Sequence, residues 1–431
     1  MIIKNVTVLD GTGSAPRAGV DVQVTNGFFA SIGPTSTNSA AQPDEPVLDG
    51  RGGYLIPGLW ETHTHLSVDR SGPDAEWFPQ QRKMLAGFME LGITSVCDLG
   101  NSLADIRRLR EGSRADGRAS SLFFSGPCFT GIGGWPLHGL PDDVKATAAV
   151  GGDTLFALQV DDVDAAAAQL RAMLDDVDYV KCIYDGNPGH GGQLPTAALE
   201  AIVTIAHDAG KKVLVHIASG ADIRDAVSAG VDAIEHAFTP KDPGDPSEAE
   251  QIAELLARTG TLYCPTIVLF EQIARMPDAD YMDELVADGI VAPEDVARIT
   301  AHPMYGAPIH PIDESRIGLD YAMSTLPVFH EAGVTLVAGS DLALAMPTRA
   351  HALLRELQLF AKAGIPGLDI IAAATANAAA KIGKRDVVGT ITAGAIADAV
   401  LLDADPLTDI THLTDPRHHR AVIKSGHLVN H

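Results

Sequence analysis

The sequence predicts a mixed α/β protein in which a (β/α)8 TIM barrel carries a small β-sandwich domain formed from both chain ends. Short apolar runs alternate with helical patterns through the middle of the chain, and both termini alternate like short strands. The 431 residues are enough for two to three folding units at roughly 150 residues each. Apolar residues make up 46% of the chain and charged residues 20%, which is typical of a folded protein rather than a disordered one.

The small domain is assigned to residues 1–51 and 387–431. Near the amino end, the segment Ile2–Asp10 has strand-like alternation and leads into a glycine-rich turn. Near the carboxyl end, Asp398–Asp403 and Ala421–Gly426 have the same character. Two β segments that flank a long middle part indicate one sheet domain assembled from both ends.

The barrel is assigned to residues 52–386, where eight candidate strands alternate with helical patterns. One candidate helix, from Pro195 to Ala209, has proline near its first turn and glycine directly after its end. The candidate strands are Tyr54–His65, Thr94–Leu99, Ser121–Gly126, Asp178–Ile183, Lys212–Ile217, Ala233–His236, Thr261–Thr266 and Thr335–Asp341.

Two connections, residues 127–177 and 267–334, are too long to be simple loops between a strand and the next helix. The first contains the glycine-rich run from Thr130 to Gly139 and a helix at about 163–174, and the second has helical stretches of its own. Because long loops after barrel strands normally cover the active site, we predict lid and specificity roles for both.

The charge balance argues against some classes of partner. The chain has 31 basic and 56 acidic residues, so its net charge of −25 repels phosphate backbones and anionic lipid. We therefore expect a small-molecule substrate rather than nucleic acid or a membrane. The amino end does not resemble a signal peptide, the sequence has no run of about 18 apolar residues, and the four cysteines show no CxxC spacing. These features predict a cytoplasmic protein with buried, reduced cysteines.

Ionisable side chains lie in or at the carboxyl ends of five predicted strands. The first strand ends in a His-x-His pair, whose two imidazoles face the same way because residues two apart on a strand share a face. Barrel enzymes place their active sites at this end of the strands, so the side chains are expected to converge. The set consists of His63, His65, Lys181, His216, His236 and Asp341.

Taken singly, most of these residues have a structural explanation. A lone histidine at a strand end is more often a hydrogen-bonded core residue than a ligand, and Asp341 could cap the following helix. Six such coincidences are hard to explain in this way. Imidazole and carboxylate oxygen suit zinc and neighbouring divalent ions, whereas an ammonium cannot ligate a cation. In a metal site, Lys181 must therefore be neutral or modified.

The sequence resembles the amidohydrolase superfamily over almost its whole length. Within the superfamily, it is most similar to Xaa-Pro dipeptidases and imidazolonepropionase-like members. The segment Gly389–Val400 is similar to the one with which the family returns to its small sheet domain. The other matching residues are Pro57–His65, Lys181, His216, His236 and Asp341.

The resemblance implies two divalent metal ions, with zinc expected, and a Lys181 that reacts with carbon dioxide or bicarbonate to form a metal-bridging carbamate. Family deaminases generally use one metal without this lysine, so Lys181 favours a binuclear hydrolase. A hydroxide bridging both metals would attack the carbonyl, and Asp341 would pass the proton to the leaving group. The implied ligands are His63, His65 and Asp341 for one metal, and His216 and His236 for the other.

Two positions depart from the family pattern. The family usually has aspartate where this chain has Glu61, two residues before His63, and we expect the longer carboxylate to keep a supporting role. Relatives also tend to have a Gly-Gly-His run after the third strand, whereas here three residues separate Gly133-Gly134 from His138. His138 is predicted to donate to the developing oxyanion, and an ordinary loop residue is the alternative.

Three further residues are candidates for substrate binding. Tyr184 is a candidate hydroxyl donor, with core packing as its alternative. His190 lies in a glycine-rich loop after the fourth strand, where it could contact substrate. Arg349 follows the eighth strand, where it either pairs with a substrate carboxylate or remains a surface charge.

The sequence therefore predicts a metal-dependent hydrolase of a small amide, such as a dipeptide or an N-acyl amino acid. The same binuclear site could instead cleave a carbamate, urea, lactone, ester or phosphotriester, because loops rather than metals set specificity. A deaminase and a catalytically inactive structural relative are the remaining alternatives. Lys181 disfavours the deaminase, and the complete set of ligands disfavours the inactive relative. Because relatives are commonly homo-oligomers, a homo-oligomer is expected.

Overall fold

The structure is a computed structural model that describes residues 1–35, 46–66, 74–116, 119–137, 156–301, 312–341 and 349–429. The strands are β1 (Ile2–Val8), β2 (Arg17–Thr25), β3 (Phe28–Pro34), β4 (Val47–Asp49), β5 (Tyr54–Pro57), β6 (Leu59–Thr64), β7 (Ile93–Asp98), β8 (Ser121–Phe124), β9 (Cys128–Gly131), β10 (Ala157–Val160), β11 (Val180–Ile183), β12 (Val213–His216), β13 (Ala233–Glu235), β14 (Leu262–Cys264), β15 (Ala399–Leu402), β16 (His419–Lys424) and β17 (His427–Leu428).

Helices follow most of the barrel strands, and the predicted helix from Pro195 to Ala209 is present as Thr196–Asp208. The α-helices are Asp74–Glu90, Leu103–Asp116, Val163–Met173, Thr196–Asp208, Gly220–Ser228, Ser247–Thr259, Ile267–Arg275, Tyr281–Ala287, Val296–Thr300, Ile312–Glu331, Arg349–Lys362, Gly367–Ala373, Ala376–Lys381 and Thr411–Thr414. Short 3-10 turns occur at Pro188–His190, Pro293–Asp295 and Pro416–His418.

Strands from both chain ends form one hydrogen-bonded sheet in the order β17-β16-β15-β5-β1-β2-β3, with β4 also paired to β1. The two ends join where β5 pairs with β1 on one side and with β15 on the other. Apolar residues such as Ile3, Val22 and Ile423 form its buried cluster. The predicted sheet domain from both ends is therefore present, although its strands are linked as a single sheet.

The predicted strand Tyr54–His65 is two strands, which belong to different sheets. β5 lies in the end sheet, whereas β6 pairs with β7 in the barrel. The break is at Gly58, whose amide donates to the Asp398 carbonyl at 3.0 Å. A Cβ on Gly58 would overlap the Thr94 side chain, so only glycine fits where the chain crosses from one sheet to the other.

The barrel strands are parallel and form two hydrogen-bonded groups, β6-β7-β8 and β10-β9-β11-β12-β13-β14. The groups meet just after the third predicted strand, which is present as β8: β8 pairs with β7, whereas β9, which begins after a gap of three residues, pairs with β11. β9 and β10 pair with each other, and the sequence pattern predicted neither of them.

The eighth predicted strand, Thr335–Asp341, lies between β14 and β6 without a continuous ladder. Leu336 forms a bridge with Tyr263, and the Thr62 hydroxyl donates to the Ala338 carbonyl at 2.7 Å. The Asp341 amide donates to the His63 carbonyl at 2.8 Å. Individual hydrogen bonds therefore complete the ring of strands at the point where two candidate ligands meet.

The second insertion is helical over its described residues and is fastened to the helix that follows the eighth strand. Arg355, which is fully buried, forms ion pairs with Glu271, Glu284 and Asp288 of the insertion. Residues 138–155 and 302–311 of the two insertions lie outside the described residues. All four cysteines are buried and free, as predicted. In the described ranges, no helix is both long enough and apolar enough to cross a bilayer.

Candidate metal centre

The carboxyl ends of the barrel strands place the predicted ligands around one space. His63 lies next to the last residue of β6 and His65 directly follows that strand, His216 ends β12, and His236 directly follows β13. The ring centroids of His63 and His236 are 4.8 Å apart, and those of His216 and His236 are 4.5 Å apart. The six candidate ligands differ in exposure. Three are buried, namely His63, Lys181 and His236, and three are partly exposed, namely His65, His216 and Asp341.

Asp341 stands between the imidazoles. Its Oδ1 lies 3.4 Å from Nε2 of His63 and 3.3 Å from Nε2 of His65, and its Oδ2 lies 3.5 Å from Nδ1 of His236. One ligand atom from each of His63, His65 and Asp341 lies within 4.8 Å of the other two, a spacing that suits a shared cation. Burial alone would raise the pKa of Asp341, but the neighbouring His63 and His65 outweigh it and lower that pKa to about 2.

The Nε2 atom of His63 is suited to bind a divalent metal ion. Its Nε2 is buried and has no hydrogen-bond partner among the residues that the structure describes. Burial, helped by the charge of Lys181, lowers the pKa of His63 to about 3, so the ring is neutral at physiological pH. An unprotonated ring nitrogen that faces a carboxylate is the donor arrangement that zinc and related ions use.

Glu235 and Lys381, which the sequence analysis did not identify, fix the orientation of His63. His63 Nδ1 lies 2.8 Å from Oε2 of Glu235, and Lys381 Nζ lies 2.7 Å from Oε1 of the same carboxylate. All three side chains are fully buried. Burial would raise the pKa of Glu235, but Lys381 and His63 hold it well below its usual range. Because an ionised carboxylate can only accept, the proton of His63 is on Nδ1 and the lone pair is on Nε2.

His236 receives comparable support from Thr266, whose hydroxyl oxygen lies 2.9 Å from His236 Nδ1. His236, Thr266 and Asp341 all have a left-handed backbone, with φ of 77°, 48° and 53°. This conformation is uncommon for side chains other than glycine, asparagine or aspartate, and it costs about 1–3 kcal/mol per residue. Asp341 tolerates this conformation, but His236 and Thr266 do not adopt it readily, and they mark the centre as a strained part of the barrel rim.

Glu61 ties two strand ends together below the imidazoles. Its Oε1 accepts the amides of His63 and Ser340 at 2.9 and 3.0 Å, and its Oε2 accepts the Ser340 hydroxyl at 2.6 Å. Burial raises the pKa of Glu61 to about 7, although these hydrogen bonds oppose the rise. This is the supporting role expected for a carboxylate at this position.

Lys181 lies in β11 with 2% of its surface exposed. No carboxylate of the described residues lies within 4.0 Å of its Nζ. Burial lowers the pKa of Lys181, and its charge acts on both His63 and Asp341, so it belongs to the same centre. An ammonium at this depth without a paired anion is unfavourable, which favours the neutral amine or a modified side chain.

His216 is held by a carboxylate that the sequence analysis also missed. Its Nε2 lies 3.3 Å from Oδ2 of Asp185, which comes two residues after β11. When Nε2 donates to this carboxylate, Nδ1 of His216 carries the lone pair. A carboxylate just past the end of a strand that already carries Lys181 was the available sequence signal.

The predicted substrate-binding residues fall in different places. His190 is near the centre, because its Nδ1 lies 2.6 Å from Asp185. The buried Tyr184 has its hydroxyl 2.7 Å from the Thr196 hydroxyl on the flanking helix, a contact that fits the core-packing alternative; its role as a hydroxyl donor to substrate stays a prediction. His138 and the side chain of Arg349 lie outside the described residues.

Known proteins match this chain in part of their length. N-acyl-D-aspartate deacylase of Alcaligenes xylosoxydans xylosoxydans is 31% identical over 184 residues, which are 41% of this chain and 34% of that protein. Ochratoxinase of Aspergillus niger is 28% identical over 249 residues, which are 57% of this chain and 43% of that protein. The matches thus span between a third and a half of the length of these relatives.

Solved structures share the fold along the whole chain. A Xaa-Pro dipeptidase with bound methionine superimposes with a TM-score of 0.76 at 20% identity, covering 99% of this chain and 98% of that one. This likeness confirms the predicted TIM barrel with its sheet of end strands. The sequence profile of the Amidohydrolase family matches residues 54–429, from β5 almost to the end of the chain. The chain therefore belongs to the amidohydrolase family.

Proposed function

We propose that this protein is a metal-dependent hydrolase that cleaves the C–N bond of a small amide, such as a dipeptide or an N-acyl amino acid. The observation that carries the proposal is the buried Nε2 of His63, which faces Asp341 among three further imidazoles and has no hydrogen-bond partner among the described residues. The relatives add support, because a deacylase and a dipeptidase both act on amide bonds. Family membership favours the same reaction class.

Two divalent ions, with zinc as the first candidate, fit the proposed ligands. His63, His65 and Asp341 would hold one ion, and His216 and His236 would hold the other. When bound, the ions would polarise the scissile carbonyl and lower the pKa of water. The residues beneath them hold the ligands in one orientation.

Lys181 is proposed to be carboxylated, and it would then supply carboxylate-like oxygens to the ions. The neutral amine would attack carbon dioxide, form an N–C bond and lose one proton, which leaves a carbamate anion. Two observations support this step: burial lowers the pKa of Lys181, and no carboxylate of the described residues lies within 4.0 Å of its Nζ. The change from cation to anion removes the cost of an unpaired buried ammonium.

Asp341 is placed to move the proton of the reaction. Its two oxygens face different imidazoles, Oδ1 towards His63 and His65 and Oδ2 towards His236. A proton taken up on one oxygen can be given to the departing nitrogen, as a general base and then a general acid. The left-handed backbone of Asp341 and the hydrogen bond from its amide to the His63 carbonyl hold the carboxylate in this position.

The test is a hydrolysis panel on protein loaded with zinc and bicarbonate, with Asp341→Asn as the blank. The panel contains Xaa-Pro dipeptides and N-acyl amino acids beside aryl esters, lactones, carbamates, ureas and a phosphotriester. Turnover of the amides that is lost in the blank supports the proposal. Turnover confined to the other compounds overturns amide hydrolysis and leaves the metal chemistry, whereas a wild-type protein that retains no metal overturns both.

A further inference from the structure

Asp185 connects His216 to a second histidine at the mouth of the centre. Its Oδ2 lies 2.6 Å from His190 Nδ1 and 3.3 Å from His216 Nε2, and its Oδ1 accepts the Asn187 amide at 2.8 Å. Only 2% of the Asp185 side chain is exposed. Because the carboxylate accepts from Nδ1, the ring of His190 is fixed with Nε2 on its far side.

The indole of Trp135 lies against both of these histidines. Its ring centroid is 5.2 Å from that of His190 and 6.4 Å from that of His216, nearly parallel to the latter at 18°. The chain has three tryptophans, and Trp135 is partly exposed whereas Trp60 and Trp77 are buried. A partly exposed aromatic side chain thus borders a candidate metal ligand.

Two glycine-rich segments hold Trp135 and His190 together. A Cβ on Gly191 would overlap the carbonyl of Gly133, and a Cβ on Gly192 would overlap the carbonyl of Ile132. The segments therefore pack backbone against backbone, which only glycine permits. The Thr130 hydroxyl also donates to the Trp135 carbonyl at 2.8 Å. Close backbone packing thus keeps the two segments that carry the indole and the imidazole side by side.

We propose that Trp135 and His190 form a substrate subsite beside the metal centre, with Asp185 as the positioning residue for His190. Trp135 packs against an aromatic or large apolar group of the substrate, and Nε2 of His190 hydrogen-bonds a polar atom next to the scissile bond. This inference rests on the proposed function and narrows its substrate class to amides that carry such a group.

The contribution of Trp135 is tested with matched amides. N-acetylphenylalanine places an aromatic ring on the amine side of the scissile bond, N-phenylacetylalanine places it on the acyl side, and N-acetylalanine lacks it. The wild type should prefer one of the aromatic amides over N-acetylalanine by roughly 3- to 10-fold in kcat/KM, the size of an aromatic contact beyond simple burial. Trp135→Leu should reduce this ratio towards one. An unchanged ratio in Trp135→Leu counts against the subsite.

His190→Asn and His190→Gln separate a substrate contact from a structural role. Asparagine keeps a donor near the Nδ1 position, and so the bond to Asp185, but it has no atom at the Nε2 position that glutamine can reach. We expect kcat/KM to fall by roughly 10- to 100-fold in His190→Asn and to recover in part in His190→Gln, with zinc content unchanged in both. If His190 only braced its loop, His190→Asn would behave as wild type.

The matched control is His207→Asn. His207 also forms a histidine–aspartate pair, with its Nε2 2.8 Å from the Asp232 carboxylate. This pair lies at the amino end of the strands, because the Asp232 amide donates a hydrogen bond to the carbonyl of Val213, the first residue of β12. The His207 side chain is 42% exposed. We therefore expect His207→Asn to match the wild type in kcat/KM and in zinc content.

The outcomes separate this inference from the proposed function. If the wild type hydrolyses amides and the Trp135 and His190 variants behave like it, the subsite is wrong and the function stands. If no amide is hydrolysed, the function fails, and phenylalanine titrated into the metal-loaded protein decides the subsite. A fluorescence change in the wild type that is absent in Trp135→Phe supports it, and no change at millimolar phenylalanine overturns it.

Discussion

Removing the Lys381 ammonium tests how the metal centre is supported. Lys381 Nζ lies 2.7 Å from Glu235 and 3.2 Å from both the carbonyl and the hydroxyl oxygen of Thr62. Both charged side chains are fully buried. Lys381→Met keeps most of the side-chain volume but leaves Glu235 as a buried carboxylate without its cation.

The loss of one partner from a buried ion pair costs about 3–5 kcal/mol, because the other charge is left uncompensated. We therefore expect Lys381→Met to lower the free energy of unfolding of the metal-free protein by about 4 kcal/mol. Glu235→Gln combined with Lys381→Met removes both charges and still offers His63 an amide oxygen. The double variant should be more stable than Lys381→Met by about 2 kcal/mol. Its loss of stability should therefore be smaller than the sum of the losses in Lys381→Met and Glu235→Gln, and the difference measures the coupling between the two side chains.

Urea denaturation followed by circular dichroism measures the stability, and competition with a chelator measures the affinity for zinc. We expect zinc affinity to fall by roughly 10- to 100-fold when the support of His63 is lost. Lys424→Met is the matched control, because Lys424 pairs with the buried Asp398 in the end sheet, and it should change stability without changing zinc affinity. The reasoning is wrong if Lys381→Met unfolds at the wild-type urea concentration, or if the two single losses simply add.

Three further predictions concern other parts of the centre and its surroundings. Thr266→Val keeps the side-chain shape but removes the hydroxyl beside His236, so zinc affinity should fall about 10-fold at an unchanged urea midpoint, and equal affinity in the chelator assay would contradict this support. Lys181→Ala should bind fewer than two zinc ions per chain and lose any response to bicarbonate, which elemental analysis measures; two bound ions would contradict the carbamate. Burial raises the pKa of Glu356 from 4.5 to about 8, although two amides of the helix Ile267–Arg275 oppose the rise. Between pH 4.5 and about 8, the folded chain therefore keeps a proton on Glu356 that the unfolded chain has lost, so the free energy of unfolding should fall by about 1 kcal/mol per pH unit as pH rises through this range. Glu356→Gln should flatten the dependence of stability on pH in this range, as measured by urea denaturation at each pH. Wild type and variant with parallel pH dependences would refute the assignment.

The convergence of the predicted ligands could be anticipated because it depends on topology more than on side-chain detail. Parallel strands of a barrel all end on the same face, so a residue that ends a strand lies near those that end its neighbours. The spacing of His63 and His65 adds that both side chains share a direction. These rules require only the strand ends, which apolar runs mark well. The structure accordingly brings His236 and Asp341 to the same space.

The supports beneath the ligands could not be predicted in the same way. Glu235 and Lys381 are 146 residues apart, and no local pattern links a strand residue to a helix that distant. If the side chains along β13 alternated strictly between the two faces of the strand, Glu235 and His236 would point in opposite directions. The left-handed backbone of His236 breaks this alternation, so that Glu235 contacts His63 while His236 contacts Asp341. A histidine in this conformation leaves no trace in the residue pattern.

Strand partners were equally hard to read from the sequence. The run from Tyr54 to His65 has continuous strand character, yet its two halves pair with different sheets. Pairing is decided by the tertiary neighbours of each half, which alternation does not encode. Pro57-Gly58 was the local signal for a break, since this dipeptide is typical of turns and loops.

Stability alone does not explain the Glu235–Lys381 pair. Replacing a buried ion pair by apolar residues of similar volume is often neutral or stabilising, so a barrel selected only for stability has no need of these charges. Their position supplies a different reason. As a proposed metal ligand, His63 needs an acceptor on its second nitrogen, and that acceptor must stay ionised although it is buried. Lys381 meets this need because its ammonium and the carboxylate are in contact and equally buried. The pair is therefore best understood as part of the candidate metal centre, placed one layer below the atoms proposed to bind the ions.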